Sequence, residues 1–79
     1  MQYFLTYNQE KFMYIVWNNQ QVVCRVKDDR TEGSRLKVVE FLQEEHKRVN
    51  HPLEIYTIPS ASVDLEAIIK AVEGIRVKR

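Results

Sequence analysis

Phe12-Met13-Tyr14-Ile15-Val16-Trp17 is the run of residues on which the fold turns, set between Asn8-Gln9-Glu10-Lys11 and Asn18-Asn19-Gln20. An apolar, β-branched and aromatic run of this length, bounded by turn formers, reads as a strand rather than a helix. Successive side chains of a strand point to opposite faces. Met13, Ile15 and Trp17 therefore share one side, and Phe12, Tyr14 and Val16 the other. Both sides are apolar, but so short a chain has a single core, and the use of the second side becomes the functional question.

Upstream, Gln2 to Tyr7 forms a first strand. The polar break at Asn8 to Lys11 closes a hairpin that pairs Tyr7 with Phe12, Leu5 with Tyr14 and Phe4 with Ile15. Downstream, a second hairpin through Asn18 to Gln21 leads into Val22-Val23-Cys24-Arg25-Val26-Lys27, with Trp17 opposite Val22. Opposed residues share a face. An unbroken register then gathers Phe4, Thr6, Met13, Ile15, Trp17, Val22, Cys24 and Val26 on the face expected to be core. The other face collects Tyr3, Leu5, Tyr7, Phe12, Tyr14, Val16, Val23, Arg25 and Lys27, an aromatic surface with a basic margin. A bulge or an odd loop inverts the assignment, because a one-residue slip exchanges the faces.

Asp28 to Gly33 is a polar loop, and Ser34 is the expected N-cap of a helix running to Val49. Val38, Val39, Leu42, His46 and Val49 fall on one helical stripe, with charged residues around the rest. Leu36 and Phe41 lie outside it, facing the second helix or a partner. Lys47 and Arg48 suit the negative C-terminal end, with Asn50 as a left-handed cap before Pro52. Leu53 to Ile58 is a fourth strand. Its crossover through a helix makes it parallel to a neighbour, either the third strand or the first. A second helix starts at Ser62 with Asp64 and Glu66 in its first turn; Leu65, Ile68, Ile69 and Val72 form its stripe, Gly74 its cap, and Ile75 folds back on Ile69. Ile75 to Lys78 is either a short edge strand or a frayed end. The order βββαβα defines a single α+β domain over residues 1–79, a three-stranded antiparallel meander followed by helix, strand and helix.

A 79-residue chain buries only about 60–65% of the surface its unfolded form exposes. No stretch approaches the roughly 20 apolar residues of a membrane span, so no membrane association is expected. The start, Met1-Gln2-Tyr3-Phe4, has no basic region followed by an apolar run, so no secretory signal is expected. One cysteine, Cys24, excludes an intramolecular disulfide and points to the reducing cytoplasm. Twelve Lys and Arg against eleven Asp and Glu leave a net charge of +1. No global field draws the chain to nucleic acid, and any basic site must be local.

Chemistry finds few candidates. A nucleophilic cysteine needs thiolate character and access, whereas Cys24 sits mid-strand between Val22 and Val26. His46 lies on the apolar stripe of its helix and His51 in a loop; their spacing, without Cys or carboxylate at ligand offsets, matches no metal pattern. Asp28, Asp29, Arg30 and Glu32 follow a third strand in an order of elements also seen in some metal-dependent nuclease cores. A magnesium site of that kind needs carboxylates on the strand itself, and the third strand has none before Asp28. Gly33 and Gly74 make no phosphate loop. The chain is therefore expected to be no enzyme and to carry no cofactor or metal.

The expectation is a non-catalytic cytoplasmic interaction or regulatory module, self-associating or docking on a protein partner through its aromatic face or a strand edge. Tyr3, Leu5, Tyr7, Phe12, Tyr14 and Val16 are the expected anchors, with Arg25 and Lys27 at the rim. Tyr14→Glu is then expected to give a folded chain that has lost its partner. The alternative is single-stranded nucleic acid, its bases stacked on the same aromatics and its phosphates on Arg25 and Lys27, with Arg76, Lys78 and Arg79 extending the phosphate path.

Overall fold

The structure, a computed structural model, describes residues 2–49 and 53–72, and residues 76–78 as backbone. The chain forms β1 (Gln2–Asn8), β2 (Met13–Asn18), β3 (Gln21–Lys27), α1 (Glu32–Arg48), β4 (Glu54–Thr57), α2 (Leu65–Lys70) and β5 (Arg76–Lys78). It is an α+β fold with one mixed sheet, in the order β3-β2-β1-β4-β5. The three-stranded meander is antiparallel, β4 runs parallel to β1, and β5 parallel to β4. The crossover through α1 thus returns the chain beside the first strand rather than the third. Residues 76–78 add an edge strand to it. The expected caps at Asn50 and Gly74, the return of Ile75, the stop at Pro52, and His51 lie outside the described residues, as does Arg79.

Turn chemistry sets the registers. Asn8 ends β1, and its side-chain carbonyl accepts from the amides of Glu10 (3.0 Å) and Lys11 (3.1 Å). The hairpin loop is therefore Gln9 to Phe12, with Phe12 at φ 52°. This moves Phe12 out of the strand and shifts the pairing by two residues, so Tyr7 opposes Tyr14 and Leu5 opposes Val16. A shift of two preserves the faces. The second hairpin turns on Asn19 and Gln20, at φ 49° and 74°, the two positive values that a two-residue type I′ loop requires.

Between β2 and β3 the ladder breaks. Trp17 opposes Val22 as expected, but Val16 opposes Cys24, and Val23 is left as the extra residue of a β-bulge. Beyond it, Cys24 and Val26 fall on the side of Val16 and Tyr14, while Arg25 and Lys27 oppose Ile15 and Met13. Charges on a strand forbid burial of their face, and this decides which side becomes core. It is the reverse of the expected side. Tyr3 and Leu5 are completely buried, Tyr14 and Val16 are 1% exposed, and they join Val26 and Ile55 in one cluster with Val38 and Leu42 of α1 and Leu65, Ile68 and Ile69 of α2. Each such aliphatic side chain contributes about 1.5–3 kcal/mol on burial.

Both helices pack on this one face, as the stripes predict. Leu65, Ile68, Ile69 and Val72 are all buried. The helix starts differ from expectation. Thr31 rather than Ser34 is the N-cap of α1, because the Ser34 hydroxyl, buried in the first turn, donates to the Thr31 carbonyl (2.9 Å) and the Asp28 carboxylate (3.3 Å). Asp64 caps α2 by accepting from the Ala67 amide (3.2 Å). Phe41 packs against the core, whereas Leu36 stays 55% exposed.

Candidate functional site

The burial of Tyr3, Leu5, Tyr14 and Val16 removes them as surface anchors; they are the floor beneath the helices. Of the other expected interface residues, Tyr7 is half-buried at the sheet end and Phe12 is 45% exposed in the hairpin loop. Arg25 and Lys27 are exposed on β3, on the helix-free side.

That side is built from the alternate residues. Phe4 opposes Trp17 across β1 and β2, Thr6 opposes Ile15, and Phe4 lies beside Tyr56 of β4. The Phe4 and Tyr56 rings stack with centroids 5.2 Å apart and planes 25° apart, a contact worth about 0.5–1.5 kcal/mol beyond burial. The Trp17 indole Nε1 donates to the Thr6 hydroxyl at 2.9 Å, which ties the large ring down across two strands. Phe4, Met13, Ile15, Trp17 and Tyr56 are all half-buried, and no described helix covers them. Beside them an open groove of about 670 Å³ runs between Thr6, Ile15 and Trp17 and the segment Ile58 to Ala61. Ile58 itself is 59% exposed. The result is a contiguous apolar and aromatic surface, flanked on β3 by Arg25 and Lys27.

The sheet end above the core is polar. The Tyr7 hydroxyl donates to Asp28 Oδ2 at 2.8 Å, while Asp28 Oδ1 accepts from the Arg30 amide at 2.8 Å. The Tyr7 hydroxyl, the Arg30 amide and the Ser34 hydroxyl hold the Asp28 carboxyl below its ordinary 3.8. Burial, and then the Asp28 acceptor, push Tyr7 from 10.0 up to about 12. The two shifts act at opposite ends of the pH scale. Asp28 contributes stability above its unfolded value that is lost as pH falls through the folded one, because the unfolded chain then binds more protons. Tyr7 contributes stability that is complete below pH 10 and is lost as pH rises from 10 toward 12. Tyr7→Phe is expected to remove the alkaline slope, to reduce the acid one, which the Arg30 amide and Ser34 hydroxyl also support, and to cost about 1 kcal/mol at neutral pH. Urea melts at pH 3, 7 and 11 check this; unchanged slopes in the variant would refute the pairing.

Cys24 is half-buried on the core side of β3, and burial pushes its thiol upward, away from thiolate character. His46 is half-buried with Nδ1 lacking a hydrogen-bond partner. Among the described residues no three of His, Cys, Asp and Glu gather as metal ligands, and no helix is long and apolar enough to cross a membrane. No family model matches the chain, and neither does any curated protein or solved structure.

Proposed function

We propose that the chain is a non-catalytic cytoplasmic interaction module that self-associates through the helix-free face of its sheet. The observation that carries this reading is the set Phe4, Ile15, Trp17 and Tyr56, half-buried and contiguous on a face that both helices leave bare. Contiguous apolar surface of this kind marks partner sites, and interface centres favour aromatics. A second copy is the simplest occupant. Two chains of net charge +1 repel only weakly, and a two-fold operation sets the patch against its own copy.

Strand spacings of about 4.8 Å and rises of about 3.3 Å per residue give a face of roughly 20 by 20 Å. Two copies then bury on the order of 800 Å² in total, the size of a weak, transient interface. Dilution of a ¹⁵N-labelled sample tests the placement: the Trp17 indole signal and the amides of Phe4, Ile15 and Tyr56 should shift with concentration while core amides do not. Concentration-independent spectra over the micromolar to millimolar range would remove the proposal.

A second reading rests on Arg25 and Lys27, which share this face with the Phe4 and Tyr56 stack. Single-stranded nucleic acid uses stacking rings beside cationic side chains. Two phosphate contacts lower log K by about 1.4 per tenfold rise in salt, and Arg25→Glu should abolish binding. Absence of a mobility shift with labelled oligonucleotides at low salt and micromolar protein would dismiss it.

A further inference from the structure

At the sheet end, Phe12 and Arg30 hold φ of 52° and 66°. Glycine or asparagine adopts this region with far less steric penalty than either residue. The positive angles of Asn19 and Gln20 follow from their hairpin turn, but nothing in the backbone at the other two positions calls for an aromatic ring or a guanidinium. What the side chains do is the better account. The Arg30 guanidinium lies over the Phe12 ring, 5.2 Å from its centroid. Both line a cavity of about 360 Å³, whose lining also includes Arg35 from the start of α1. This volume lies within the range of small-ligand sites.

The described ion pairs are Lys47 with Glu44 and Arg48 with Glu45, so neither cavity arginine has a carboxylate partner among them. Asp28 also lines the cavity, but its oxygens are already engaged by the Tyr7 hydroxyl, the Arg30 amide and the Ser34 hydroxyl. The lining side chains thus carry two guanidiniums and one carboxylate. Gln9 Nε2 donates to the Ser62 hydroxyl at 2.7 Å, and both residues belong to the lining.

The geometry points to a phosphate-binding site, separate from the helix-free face, in which Arg30 and Arg35 together hold the phosphate group of a small ligand. Guanidiniums are rigid multi-donor forks suited to an anion with several acceptor oxygens. The Phe12 ring holds the Arg30 guanidinium at the lining while Asp28 fixes its backbone amide.

Amide spectra recorded during titration with sodium phosphate, and separately with O-phosphoserine, test this against sodium chloride at matched ionic strength. Saturable shifts at Arg30, Thr31 and Arg35, with a Kd on the order of a millimolar, are expected from at least one phosphate probe and not from chloride. The tighter of the two distinguishes free phosphate from an ester. Arg35→Gln should weaken binding roughly tenfold or more. Arg30→Gly should do the same while leaving the melting temperature equal or higher, since glycine suits φ 66°. Shifts that chloride reproduces, no saturable shift with either probe, or binding unchanged in both variants would overturn the assignment.

Discussion

Tyr14→Glu is expected to leave the chain predominantly unfolded at neutral pH. Tyr14 is 1% exposed, opposes Tyr7 and Val26 in the ladder, and meets the Tyr7 ring edge-on at 5.0 Å and 62°. Truncating a buried aromatic costs about 3–5 kcal/mol, and an unpaired carboxylate in its place adds several more. A 79-residue domain has only about 4–12 kcal/mol in total. The loss exceeds most of that range. Tyr14→Phe is the matched control: the Tyr14 hydroxyl is buried without a hydrogen-bond partner, so its removal should be neutral or slightly stabilising. Circular dichroism and thermal melts read both. A Tyr14→Glu protein that melts cooperatively within a few degrees of the parent would mean that the core is on the other side of the sheet.

Ile15→Glu is expected to have the opposite profile, a folded chain that no longer self-associates. Ile15 is the neighbour of Tyr14 in sequence but lies on the bare face, half-buried between Thr6 and Arg25 in register. A glutamate there remains in water within the monomer and faces Arg25 across the strands, a pairing worth about 0.2–1 kcal/mol. The fold should lose little. In a two-fold dimer the substitution places two carboxylates in an apolar centre, at a cost of several kcal/mol, so the dissociation constant rises by roughly a hundredfold or more.

These two neighbours also mark where the sequence could be read and where it could not. The helical stripes are plain in Val38, Leu42, Leu65, Ile68 and Ile69, and their burial follows. The division of β1 and β2 into two side-chain sets is equally legible, because a hairpin error of two residues leaves it intact. Which set is buried depended on a single extra residue, Val23. Its trace is present: Val22-Val23 breaks the alternation, after which Cys24 and Val26 alternate with Arg25 and Lys27, and the face that receives the charges cannot be the core. Phe12 misled because its apolar side chain extends the strand pattern, while the Asn8 side chain had already begun the turn. The placement of β4 beside β1 leaves no local signal, since it depends on how α1 packs back over the sheet. Phe4, Ile15 and Trp17 were missed as a surface for the same reason that Tyr14 was mistaken for one, and Tyr56 because it joins them only through the pairing of β4 with β1.

The most direct measurement is sedimentation equilibrium of the parent chain and Ile15→Glu across a concentration series from micromolar to millimolar. The parent mass should climb from one chain toward two while the variant, equally folded, stays at one. A parent that remains at one chain throughout, or a variant that associates as the parent does, would contradict self-association through the bare face of the sheet.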